Sequence, residues 1–237
     1  MRLWSWFKRR FKRGGVIAVI RLEGVIATGG RLGGGINDQT MSPLIEKAFE
    51  LGRLKAVALI INSPGGSPSQ SSLLASRIIR LSEEKKVPVY AFCEDVAASG
   101  GYWLACSAEK IYADENTIVG SIGVISAGFG FHELISRQGI ERRVYTSGEE
   151  KSMLDPFKPE KAEEIERLRL IQKAIHLNFK NFVASRRGEK IEGQDIFNGE
   201  IWESQRAKEL GLIDGIGHLE PVLKEKFGKD IKFKRLD

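Results

Sequence analysis

The sequence predicts an α/β fold: a largely parallel sheet with helices on its faces. Three observations carry this. Strand-like and helix-like segments alternate from Gly15 onward, as in chains whose parallel strands are joined by helical crossovers. Residues 56–61 are an unbroken apolar run, as expected of a parallel strand covered on both sides. Residues 69–86 repeat Leu73, Leu74, Ile78, Ile79 and Leu81 at helical spacing.

The elements run in order along the chain. Residues 16–22, rich in Val and Ile, read as the first strand. Residues 42–54 carry Leu44, Ile45, Ala48 and Leu51 at helical spacing. The strand at 56–61 and the helix at 69–86 come next, then a strand at 88–93, a short helix at 98–108 and a strand at 110–113. Residues 129–140 read as an amphipathic helix and 143–146 as a strand. Residues 159–187 are the longest helical pattern. Pro159 and Glu160, Glu163 and Glu164 suit its first turn, and Arg186, Arg187 and Gly188 suit its end. Its apolar stripe is Leu168, Ile171, Ile175, Phe179 and Phe182. No repeat or linker divides the chain, so residues 15–237 read as one domain behind a basic aromatic tail, residues 1–14.

Composition narrows the function. With 237 residues, 42% hydrophobic and 29% charged, the chain has material for a real core. Its 26 glycines cluster in short strings, which excludes collagen-like and low-complexity chains. Cys93 and Cys106 cannot make a disulfide framework, and His132, His176 and His218 lack metal-ligand spacing. No metal or cofactor is expected. Removing Arg2, Lys8, Arg9, Arg10, Lys12 and Arg13 from the 37 basic residues leaves 31, against 31 acidic ones. The body is therefore neutral and advertises no nucleic-acid-binding face.

The tail sets Leu3, Trp4, Phe7 and Phe11 on one side of a helix, opposite its basic residues. It suits peripheral contact with a membrane surface, or it is simply solvated. The apolar run 16–20 is too short for a signal-peptide core, and Arg21 and Glu23 break its continuation. No stretch approaches the ~20 apolar residues of a spanning helix. The expected location is cytoplasmic or peripherally membrane-associated.

Four glycine-containing turns look like chemistry. Asn62-Ser63-Pro64-Gly65-Gly66 comes directly after the buried strand, and an N–H from such a turn can stabilise an oxyanion. It is also an ordinary strand-to-helix turn. Ala97-Ala98-Ser99-Gly100-Gly101-Tyr102 places a serine at a helix N-terminus, as a nucleophile or as a plain N-cap. Gly120-Ser121-Ile122-Gly123 and Ser147-Gly148-Glu149-Glu150-Lys151 are the other two. A serine nucleophile needs a base. None of the three histidines lies in a small-residue turn. A lysine serves where burial disfavours its ammonium form, and Lys151 sits in a Ser-Gly loop rather than on a charged helix face.

In this order, I-N-S-P-G-G-S, A-A-S-G-G-Y-W, G-S-I-G-V-I and S-G-x-x-K resemble the signal peptide peptidase A family of serine proteases. The segment N-G-E-I-W-E-S-Q-R-A-K-E-L-G-L-I-D-G-I-G resembles that family's C-terminal part, and the likeness covers residues 16 to 227. The resemblance implies a Clp protease/crotonase-like fold and a Ser-Lys dyad. Ser99 is then the nucleophile and Lys151 the general base. Ser121 holds the lysine amine, and Gly66 and Gly100 supply oxyanion-hole N–H groups. It also implies a homo-oligomeric ring and apolar peptide substrates such as signal-peptide remnants. Two features differ from the family: the basic tail stands where a membrane-spanning anchor is usual, and Ser152 comes after Lys151 where Asp is frequent. The rival readings are a crotonase-like acyl-CoA enzyme and a non-catalytic membrane-surface scaffold.

Overall fold

In the computed structural model, residues 14–28 and 35–236 are described; residues 1–13 of the basic aromatic tail lie outside them. Strand β1 (Val16–Glu23) leads through helix α1 (Asp38–Phe49) to β2 (Leu54–Ser63). Helix α2 (Pro68–Lys85), β3 (Val89–Ala98), α3 (Gly100–Ala105), β4 (Lys110–Ala113) and β5 (Ile118–Gly120) come next. Then come α4 (His132–Arg137), the long α5 (Ala162–Arg187), β6 (Ile201–Glu203), α6 (Ser204–Glu209), β7 (Gly215–Ile216), α7 (Leu219–Phe227) and β8 (Lys232–Leu236).

The strands share one sheet in the order β6-β5-β3-β2-β1-β8, with β4 pairing β3 and β7. All pairings are parallel except β5 with β6. The α/β, mostly parallel expectation therefore holds. Alternation along β2 explains its unbroken apolar run. Val57, Leu59 and Ile61 join one core with Ile45 of α1, Leu74 and Ile78 of α2 and Tyr102 of α3. Ala56, Ala58 and Ile60 face the other core, with Tyr90, Phe92 and Leu223 of α7. A strand covered on both faces has no polar side to show.

Two helix starts differ from the sequence expectation. The helix read at residues 42–54 runs over Asp38–Phe49, so it begins four residues earlier. Asn37 caps it, its Oδ1 accepting from Thr40 N–H at 3.0 Å, and Pro43 lies inside the helix. Helix α5 begins at Ala162 rather than at Pro159. Residues 143–146 form no strand.

The described residues group into two compact units. One holds the whole sheet and the chain from Phe179 onward; the other is Val124–Asn178. In the second, Phe131 N–H donates to Pro156 O at 2.6 Å and Leu154 N–H to Glu164 Oε2 at 2.8 Å. Arg142 pairs with Asp155 at 3.1 Å and lies over the Phe157 ring. Ile125, Phe129, Leu134, Ile140 and Tyr145 remain exposed there.

In the first unit a buried ion pair locks the end of α5. Arg187 donates to Asp214 Oδ2 at 2.8 Å and twice to Gly211 O, at 2.9 and 2.7 Å. Asp214 also accepts from Lys190 at 2.7 Å and from Ile111 N–H at 2.9 Å. Burial opposes its ionisation, but the hydrogen bonds from Lys190, Arg187 and Ile111 N–H outweigh it and hold the carboxyl well below the ordinary carboxylate range. Only 2% of the Arg187 side chain and 8% of Asp214 is exposed, so losing one partner strands a buried charge. Asp214→Asn should therefore destabilise the chain by about 3 kcal/mol at pH 7 in urea unfolding. A lowered folded-state pKa gives stability that is full above about pH 4 and fades on further acidification, so the gap to wild type should close there.

Candidate active site

The site lies at the carboxyl ends of β2, β3 and β5, where parallel strands turn into loops. Ser99 links β3 to α3 with φ 51° and ψ −120°. That region favours glycine, and a non-glycine residue there stores strain. Its side chain caps no helix N–H, so it is not the plain N-cap that the sequence also allowed. Ser99 N–H donates to Gly120 O at 2.8 Å, and Ser99 O accepts from Trp103 N–H at 3.0 Å. The backbone is thus held on both sides while the hydroxyl is left out of the helix.

The turn after β2 packs directly against this serine. A Cβ on Gly65 would lie 2.7 Å from Gly100 N and 2.8 Å from Ser99 Cβ, so only glycine allows the approach. Gly65 N–H donates to Ser63 Oγ at 3.2 Å. Gly66 has φ 142°, and a Cβ there would stand 2.0 Å from Ile26 O. The chain after β1 runs alongside: Ile26 N–H donates to Gly65 O at 2.8 Å and Ser67 N–H to Ile26 O at 2.7 Å. Gly100 is the first residue of α3, where an N–H has no intrahelical acceptor.

The third motif arrives through β5. Gly120 gives its carbonyl to Ser99, and Ser121 comes next at φ 54°, its N–H donating to Glu200 O at 2.7 Å. The structure therefore brings Gly66, Ser99, Gly100 and Ser121 into one unit, on the three turns that follow β2, β3 and β5. Lys151 belongs to the Val124–Asn178 unit, in a short 3₁₀ turn (Glu149–Ser152). It is exposed, and its N–H donates to Gly148 O at 3.3 Å.

The two cysteines are not alternative nucleophiles. Burial pushes the Cys93 thiol up to about 12 and Cys106 up to about 11, so neither offers a thiolate. His218 precedes α7 and faces Asp114 at 3.6 Å. Among the described residues no group of three or more His, Cys, Asp or Glu could hold a metal ion. A cavity of about 440 Å³ is floored by Val19, Ile60, Phe92 and Phe233, on the opposite sheet face, and contains none of the motif residues.

Sequence reasoning misses the stretch just upstream of Ser99. Strand β3 runs through Glu94 and Asp95, two charged residues that look like a strand end. That interruption of an apolar run is the signal of an irregular strand.

A family model for peptidase family S49 matches residues 82–229. The chain is 48% identical over 220 residues to a Brucella abortus protein named Na(+)/H(+) antiporter NhaA, covering 92% of this chain and 30% of that one. It is 34% identical over 211 residues to the chloroplastic serine protease SPPA of Arabidopsis thaliana, covering 87% and 30%. It is 32% identical over 214 residues to protease 4 of Salmonella typhi, covering 89% and 34%. The chain spans about a third of the length of these relatives.

The packing of the two turns is directly testable. Gly66→Ala should destabilise the chain by more than ~1 kcal/mol, because the new methyl meets a backbone carbonyl at a positive φ. Gly52→Ala, where nothing lies within 4 Å, should stay close to wild type in the same urea titration.

Proposed function

Because this chain belongs to peptidase family S49, we propose that it is a serine endopeptidase with a Ser99–Lys151 dyad. The Clp protease/crotonase-like fold of that family agrees with the mostly parallel sheet and flanking helices. One observation carries the reading: Ser99 sits in a strained, left-handed turn, uninvolved in capping, with the Gly65-Gly66 turn packed against it. A structural serine has no need of that conformation. A nucleophile gains from it, because the turn lifts the hydroxyl away from strand and helix.

In the proposed reaction, the Lys151 amine takes the Ser99 proton as Ser99 Oγ attacks the peptide carbonyl. Gly66 and Gly100 N–H groups receive the oxyanion. Collapse of the tetrahedral intermediate expels the amine product, which leaves with a proton from Lys151. Water, deprotonated by Lys151, then hydrolyses the acyl-enzyme and frees Ser99. Ser121 accepts a hydrogen bond from the lysine and orients it. The substrates are extended apolar peptides, such as signal-peptide remnants, with a small or apolar residue before the cut. The Gly, Ala and Ser content of the turns supports this choice.

A homo-oligomeric ring belongs to the same reading. Exposed Ile125, Phe129, Leu134, Ile140 and Tyr145 in the Val124–Asn178 unit support it, since such residues suit contact with a neighbouring subunit. Residues 1–13 are proposed to dock on anionic membrane surfaces, supported by six basic residues beside Trp4, Trp6, Phe7 and Phe11. Among the described residues no helix is long and apolar enough to cross a membrane.

Ser99→Ala should abolish hydrolysis of a fluorogenic apolar peptide while changing stability by no more than ~1 kcal/mol, since the hydroxyl caps nothing. Lys151→Arg should also be inactive, because guanidinium does not give up its proton. Near-wild-type turnover in either variant would remove the dyad. Deleting residues 1–13 should abolish co-sedimentation with anionic vesicles, at roughly 1 kcal/mol per basic residue, and leave soluble-peptide hydrolysis nearly unchanged. Equal sedimentation with and without the tail would remove the membrane role.

A further inference from the structure

We propose that Asn62 is a positioning residue for the Ser99 nucleophile, clamping a bulge in β3 that aims the serine turn. The proposal rests on the serine-protease reading of Ser99. Strand β3 changes partners just before the site. Tyr90 to Cys93 pair with Lys110 to Ala113 of β4, and Val96 to Ala98 pair with Ile118 to Gly120 of β5. On its other side, Ile61 of β2 faces Cys93 and Ser63 faces Ala97. Two steps along β2 therefore oppose four along β3. The surplus is a bulge, which breaks the ladder and re-aims the strand.

A bulge leaves backbone groups without ladder partners, and Asn62 fills that gap. Its Oδ1 accepts from Val96 N–H at 3.3 Å, and its Nδ2 donates to Asp95 Oδ2 at 2.6 Å. Its own carbonyl accepts from Gly24 N–H at 2.9 Å, which ties the clamp to the end of β1. Arg21 of β1 forks onto Glu94 at 3.1 and 2.6 Å. That pair and the Asn62–Asp95 bond are both exposed, whereas the Val96–Asn62 bond is part-buried. Ser99 lies three residues beyond Val96. Its N–H reaches Gly120 O only because β3 leaves the bulge in register with β5.

The clamp needs one acceptor and one donor on a single short planar side chain, which is what an amide supplies. Aspartate lacks the donor and would oppose Asp95 with a like charge. Leucine lacks both groups. A nucleophile moved by about 1 Å loses roughly 100-fold in rate, so the effect should fall on kcat.

The test uses the full-length chain and the fluorogenic apolar peptide. Asn62→Asp should lower kcat at least about tenfold with KM within about twofold. Asp95→Asn alone should be mild, because an amide oxygen still accepts from Asn62. The double variant N62D/D95N reverses donor and acceptor and keeps a carboxylate oxygen for Val96 N–H, so it should return kcat to near the D95N value. That rescue shows that the two side chains act as a pair, and the exchange pattern separates positioning of the serine turn from a general loss of stability. Backbone hydrogen exchange reads the clamp independently of catalysis: in N62D the Val96 and Ser99 amides should exchange faster while those of α2 stay unchanged. Wild-type kcat in N62D, or a double variant as slow as N62D, would overturn the proposal with the protease reading intact. Turnover that survives Ser99→Ala would instead overturn the protease reading. The exchange result then decides the clamp by itself: unchanged Val96 and Ser99 amides in N62D overturn it, and faster exchange there supports it.

Discussion

Holding Ser99 at φ 51° is the constraint on which the rest of this site depends. A non-glycine residue in such a conformation carries about 1–3 kcal/mol of strain and persists only where its surroundings over-determine it. Here they do. Its N–H is tied to Gly120 and its carbonyl to Trp103, and the Gly65 Cα side of the neighbouring turn closes on its Cβ. Each tie comes from a different element, so the turn cannot relax without moving β5, α3 or the end of β2.

The core behind the turn explains how the strain is borne. Every residue of α3 is buried. Tyr102 donates to Leu212 O at 2.8 Å, and Trp103 stacks on Phe179 and Phe182 of α5, with ring centres 4.6 and 5.4 Å apart. The end of α5 is in turn fixed by Arg187 and Asp214. A helix of only six residues is weak alone. Buried aromatic packing and the ion pair beneath it make this one a rigid floor for the serine.

Much of this is legible from residues alone, and the failures have physical causes. The continuous apolar run of β2 and the capped, striped α2 are strong signals because burial on both faces, or on one face, sets their period. The strand Lys110–Ala113 is equally readable. Strands β5, β6 and β7 have two or three residues, too few for any periodicity, and exist because the sheet edge pairs with them. Strand β3 reads as ending at Cys93 because Glu94 and Asp95 look like an exit from the sheet, whereas they form a bulge within it. The Ser-Pro pair at residues 42–43 imitates a helix start that Asn37 in fact makes. At the site, Ser99, Gly66, Gly100 and Ser121 are readable as motifs. The positive φ of Ser99 and the bridging role of Asn62 are not, because both arise from strands brought together over long separations.

The proposed reaction stands on Ser99 as the nucleophile. Its most direct test is mass-spectrometric mapping of the adduct formed by a serine-directed peptidyl phosphonate carrying an apolar residue at the reactive position. One covalent adduct per chain is expected, on Ser99, formed in the folded protein and lost on denaturation before labelling. An adduct on another residue, or full inhibition with Ser99 unmodified, would contradict it.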